Sequence, residues 1–337
     1  MPSAGKLMAA ASSSPMGSDR RASGSAGAAR PPVRIGAGRA PVANVGHGSC
    51  PDLGAGNRDG LRGRATMTHP TPSQGGTPPA RASWRSVAVP SEHGGWGLTL
   101  EPVLLGLFVA PSTSGVLLGA AALVAFVART PLRVVLVDTR RHRDLSRTAL
   151  ARRILVGEVV VLAVLAVAAT FLGDARLWWP ALAAAPLVAI ELWFDMRSRS
   201  RRLVPELAGA IGVAAVVAMI VLAAGDAVPL AIGLWLVLAA RATTSIPFVR
   251  SQVALLHDRA TPRAVGVMAD LGALTIAVAA ALVDTDVVLG TATIVAIVVY
   301  QRVSGLRPPD RAVTLGIRQT VVGLTLVLVT GLGVLAP

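Results

Sequence analysis

Residues 203–224 read LVPELAGAIGVAAVVAMIVLAA, and this stretch decides the fold. Its only ionisable residue is Glu206, in the first turn; every position after it is Ala, Gly, Val, Ile, Leu or Met. About 20 apolar residues in a helix cross the hydrocarbon layer of a bilayer. A run without strict polar alternation does not suit a barrel strand, so the backbone must satisfy itself as a helix. Eight more runs of this kind occupy 96–111, 115–129, 153–173, 177–194, 228–245, 264–283, 286–301 and 315–335. Composition agrees, with 53% hydrophobic and only 15% charged residues. The expected fold is all-α: a polytopic transmembrane helix bundle of about nine helices, or eight if the first hairpin only re-enters. Pro102, early in the first run, predicts a kink there.

The net charge of +14 would suit a nucleic-acid binder. Its distribution points elsewhere. Residues 1–85 hold eleven basic and three acidic residues, a net of +8, and the rest sits in short loops between apolar runs. The loops after the second, fourth, sixth and eighth runs carry eight, four, four and four arginines, counted from Arg129, Arg197, Arg241 and Arg302. The intervening loops carry one, Arg176, beside Asp174, Asp226, Asp284 and Asp286. Twenty against one is a strong positive-inside asymmetry. It predicts a multi-pass protein of the cell (inner) membrane with a cytoplasmic N-terminus and with Pro337 outside. The bilayer is its first partner, and nucleic acid is not expected.

Residues 1–84 are rich in Gly, Ala, Ser, Pro and Arg and lack sustained apolar periodicity. Such a segment cannot bury enough surface to offset its ordering entropy, so a disordered tail is expected, with Met67 as a possible true start. Residues 85–337 form the transmembrane domain. The single cysteine, Cys50, falls in the tail, so no disulfide or thiolate site belongs to the bundle.

Chemistry concentrates at one end of the runs. Pro90-Ser91-Glu92-His93-Gly94-Gly95-Trp96-Gly97 leads into the first run, which contains Glu101-Pro102. Glu158 and Asp270 lie more than a turn inside the third and seventh runs, Asp195 closes the fourth, and Glu206 opens the fifth. Carboxylates are short and do not snorkel as arginine does. Inside a membrane they face a bundle interior or a wet cavity, paired with a cation or protonated. All of them fall in the cytoplasmic third under the arginine-derived orientation. The expectation is a polar pocket open to the cytoplasm beneath an apolar roof. Its candidate ligand-binding residues are Glu92, His93, Glu101, Arg129, Arg133, Glu158, Asp195, Arg197, Glu206, Arg241 and Arg250. Converging arginines suit an anion, and the carboxylates would pair with them or carry a proton. No His-Glu-x-x-His, Walker A loop or clustered histidines occur, so no metal or cofactor is expected.

The Glu92-His93-Gly94 entry, the early Glu101-Pro102 and the clusters Arg129–Arg133, Asp195–Ala210 and Arg241–Arg250 resemble the YwiC-like bacterial membrane proteins, over roughly residues 88–335. That family carries no settled activity, so the resemblance implies a membrane bundle and no reaction. The layout also resembles, more distantly, the UbiA-type intramembrane prenyltransferases. Those enzymes hold magnesium diphosphate through Asp-rich motifs at the inner ends of helices two and six, where this chain has Arg129-Thr130-Pro131 and Arg241–Arg250. Three functions stay open: a site for an anionic or amphiphilic ligand, a proton-coupled transporter of a small solute or anion, and a non-catalytic scaffold subunit with unnamed protein partners. Whether the first is an enzyme stays open as well.

Overall fold

The computed structural model describes residues 93–143, 145–197, 202–259 and 261–336. The tail with Met67 and Cys50, and Glu92, lie outside the described residues. Among the described residues there are nine α-helices and no strand: α1 (His93–Val109), α2 (Thr113–Arg140), α3 (Ser146–Leu172), α4 (Trp178–Met196), α5 (Leu203–Ala223), α6 (Val228–Leu255), α7 (Arg263–Val283), α8 (Val288–Ser304) and α9 (Ala312–Leu335). Eight of them, α4 and α8 with their 3₁₀ lead-ins, are long and apolar enough to cross a membrane. The chain is therefore a multi-pass membrane-protein bundle. α1 is the exception, at 17 residues. At 1.5 Å per residue it reaches about 25 Å, short of the hydrocarbon thickness.

Several helices outrun their apolar stretches. α2 continues past Arg129 to Arg140, α3 begins at Ser146 rather than 153, and α6 continues past Ser245 to Leu255. Hydropathy marks the membrane part of a helix, while the backbone hydrogen bonds continue until a cap or turn stops them. Between α2 and α3 that stop is a clasp. Buried Asp138 accepts from Thr148 Oγ1 at 2.6 Å and from both Arg147 Nη2 and Nε, at 3.1 and 3.3 Å. At the other end of the bundle two connections share one device. Asp174 accepts from the Arg176 N–H at 2.8 Å and Asp284 from the Asp286 N–H at 2.9 Å, each opening a 3₁₀ turn (Ala175–Leu177, Thr285–Val287) before the next helix. The side-chain hydrogen bond from Arg176 also holds the Asp174 carboxyl below its ordinary range. Ser112 caps α2 by accepting from the Gly115 N–H at 3.0 Å.

Helices in lipid gain little from hydrophobicity against one another, so close approach of small residues holds the bundle. α5 buries Ala208, Gly212, Ala214 and Ala218, and the fully buried positions of α7 are Ala273, Ala277 and Ala280. α5 and α6 form the centre: 61% of each of their membrane windows is buried, against 6% for α3. α5 touches α1, α2, α4 and α6, and α9 closes the bundle against both α1 and α8. The apolar core, with Leu105, Val217, Val221, Leu234, Val237, Ile294 and Leu326 fully buried, fills the middle. The end of the bundle that carries the arginine clusters is open for a site.

Candidate functional site

A cavity of about 340 Å³ lies at the arginine-rich end, walled by α1, α2, α4, α5, α6 and α9. Five of the eleven residues picked out by sequence line it: Glu101, Arg129, Glu206, Arg241 and Arg250. They form its polar wall in three ion-pair sets. At the mouth, Arg250 Nη1 meets Glu206 Oε2 at 2.8 Å, both about a third exposed. On one side Arg129 bridges Glu191 at 2.7 Å and Asp195 at 3.3 Å. At the deep end Arg241 Nη2 stands 3.7 Å from Glu101 Oε1, and both side chains are buried. Leu98, Phe126, Val213, Ile246 and Val249 supply the apolar lining.

Local sequence explains each placement. Glu101 sits eight residues into α1, about 12 Å along the axis. A carboxylate that deep needs space and a cation. α9 supplies the space: a Cβ on Gly323 would fall on the Glu101 carboxylate. Glycine at 323 is thus the recess that Glu101 fills. Gly209 on α5 does the same for Glu191. Glu191 and Asp195 lie four apart on α4 and so share a face, which lets one guanidinium serve both. Arg241 and Ser245 show the same spacing on α6, and Arg241 Nη1 donates to Ser245 Oγ. Arg241 Nη2 also donates to the Gln319 carbonyl at 2.8 Å.

The other sequence picks fall elsewhere. Asp195 stands behind the wall, buried, with Oδ1 free of hydrogen bonds. Arg133 is half-buried on α2 and does not line the cavity. Arg197 is exposed and lies over the Trp193 ring, 4.0 Å from its centroid. Glu158 is half-buried on peripheral α3, outside the cavity lining, with Oε2 unpartnered. Glu92 lies outside the described residues, and His93 enters as the first residue of α1. Asp270 leaves the cavity altogether: it pairs with Arg302 and accepts from Thr244 at 2.7 Å.

Sequence reading missed the buried polar chain behind Arg241. Gln301 on α8 bonds both Ser245, at 2.9 Å, and Thr244, at 2.9 Å, and Thr244 reaches Asp270 on α7. A hydroxyl has one proton, so Thr244 cannot donate to both Asp270 and the Gln301 carbonyl. Every proton is used once if the Gln301 amide presents its NH₂ to Thr244 and its carbonyl to Ser245. The chain then runs one way: Arg241 to Ser245, to Gln301, to Thr244, to Asp270. It orients Arg241 from behind. It does not carry protons out of the cavity, because a guanidinium in a protein stays protonated. The available signal was polar residues at 244, 245 and 301 inside otherwise apolar helices. Among the described residues no group of three His, Cys, Asp or Glu is placed to hold a metal ion.

Fold and site together define a class: a multi-pass helical membrane protein whose bundle encloses an ion-paired cavity near one end. The family model described as YwiC-like protein matches residues 89–224, so the chain is similar to that family over α1 through α5. The match covers the Glu101, Arg129, Glu191 and Glu206 walls and stops before Arg241, Arg250 and the α9 residues. No curated protein and no solved structure matches the chain, so the prenyltransferase-like layout has no matching structure behind it.

Proposed function

We propose that this chain is an inner-membrane protein that binds an amphiphilic ligand in the α1–α2–α4–α5–α6–α9 cavity, from the cytoplasmic side. The observation that carries the reading is the wall itself. Three ion-pair sets line one side of an apolar-lined space of about 340 Å³, within the size range of small-molecule sites. A head group would meet the charges while its apolar part lies on Leu98, Phe126, Val213 and Ile246. The sequence asymmetry of the loop arginines, twenty against one, supports an N-terminus in the cytoplasm and a C-terminus outside.

The transporter reading draws no comparable support. It asks for a polar route from the cavity to the opposite face, whereas the middle of the bundle is the fully buried aliphatic core. The test is native mass spectrometry of the full chain purified in mild detergent, with lipid extraction of the same sample. A bound amphiphile is expected in the wild type and lost in Glu101→Gln and Arg241→Ala, while both variants still insert into the membrane. Equal occupancy in both variants refutes the assignment.

A further inference from the structure

We infer that the head group taken by this cavity is zwitterionic, with an anionic and a cationic centre, rather than net-anionic. This rests on the ligand-binding reading above and narrows it. Among the described residues the lining holds three guanidiniums, Arg129, Arg241 and Arg250, and three carboxylates, Glu101, Glu191 and Glu206. Each guanidinium is engaged by a carboxylate, and buried Asp195 adds a further negative charge behind Arg129. The lining is balanced. Arginine clusters alone suggested an anion, but these arginines already have counter-charges.

The energetics of a partly dry ion pair decide between ligands. A lone anion that draws a guanidinium to itself strips a carboxylate of its cation inside a low-dielectric wall. Leaving one member of a buried pair unmatched is strongly unfavourable. A lone cation meets the mirror problem. A head with both signs inserts into a pair and leaves no charge over: its anion takes the guanidinium and its cation takes the carboxylate. The deep pair adds a second observation. Arg241 is buried, yet its Nε–H has no hydrogen-bond partner, and neither does the buried Oε1 of Gln319, another lining residue. One unsatisfied donor and one unsatisfied acceptor ask for a ligand that offers both kinds of group. The loops outside differ. Arg133 and Arg197 belong to a basic surface that attracts anionic head groups in the way positive-inside loops do. That attraction acts at the bilayer surface and says nothing of the balanced interior.

The shared chemistry, an ammonium near a phosphate, exists in a phospholipid head and in a free solute, and the test separates them. The full chain in dodecyl maltoside is titrated by calorimetry with dihexanoyl phosphatidylethanolamine, dihexanoyl phosphatidylglycerol and their deacylated diesters, glycerophosphoethanolamine and glycerophosphoglycerol. The zwitterionic member of a pair should bind at least tenfold more tightly than its anionic match. A preference seen only in the lipid pair supports the inference with a bilayer source; one seen also in the free pair supports it with a soluble source. Glu206→Gln, at the half-exposed mouth where folding is little at risk, should cut the preference at least threefold by leaving Arg250 to an anion. Equal or tighter binding of the anionic probes, or an unchanged preference in Glu206→Gln, overturns the inference and leaves the ligand-binding reading standing. If no probe binds and native mass spectrometry finds a net-anionic lipid, the inference alone falls. If no probe binds and nothing co-purifies, both fall.

Discussion

Removing the charge of Glu101 isolates the central electrostatic claim. At 3.7 Å and an effective dielectric near 20, its attraction to Arg241 amounts to about 4.5 kcal/mol. An independent route gives a similar size: stripping one partner from a buried pair costs roughly 3–5 kcal/mol. Glu101→Gln keeps the shape of the side chain and its fit into the Gly323 recess, so the loss is one of charge and not of packing. At roughly 2–4 °C per kcal/mol, the midpoint of thermal unfolding should fall by roughly 9–18 °C. The assay is the loss of the monodisperse peak in detergent after heating, which needs no ligand. The double variant Glu101→Gln/Arg241→Met removes both charges. Replacing a whole buried pair by apolar side chains is often close to neutral, so the double variant should recover most of the drop. A fall below about 2 °C in the single variant, or a double variant no more stable than the single, would refute the reasoning that Glu101 and Arg241 depend on each other.

Gly323→Ala reverses the usual sign. Helix propensity alone favours Ala over Gly by about 1 kcal/mol, but here the new Cβ meets the Glu101 carboxylate, so the thermal midpoint should fall. Gly157→Ala, where a Cβ meets nothing within 4 Å, should raise it in the same assay. Thr244→Val keeps the shape and deletes the hydroxyl between Asp270 and Gln301, at a cost of about 1–3 kcal/mol that Thr244→Ser should largely restore.

The bundle was legible because lipid leaves the backbone so few options: runs such as 203–224 can only be helices, and their number is the helix number. Helix ends were less legible. Arg129–Arg140 is helical without being apolar, and a hydropathy reading stops where the hydrocarbon stops. Within the site, Glu101, Arg129, Glu206, Arg241 and Arg250 stood out because ionisable residues in apolar runs are costly and need partners. Which partner each one takes depends on the rotation of helices about their axes. Nothing local in α1 or α6 says that Glu101 faces Arg241. Glu158 illustrates the limit, since a depth along α3 carries no information on which side of α3 faces the bundle. Glu191 is not among the residues singled out from the sequence, although its spacing from Asp195 already places two carboxylates on one face of α4.

The seam between α1 and α9 also orders events during synthesis. Glu101 and the recess at Gly323 that receives it lie 222 positions apart in the chain. When α1 leaves the ribosome, neither Arg241 nor Gly323 has yet been made. The short first helix must therefore carry its carboxylate through most of translation without either, and it can settle only after α6 and then α9 have entered the bilayer. Until then the wall is incomplete, since Gly316, Gln319 and Thr320 all arrive with α9. Without α9 the bundle lacks both that part of the wall and the Gly323 recess for Glu101. The cavity is completed last, so binding competence reports that the last helix is in place.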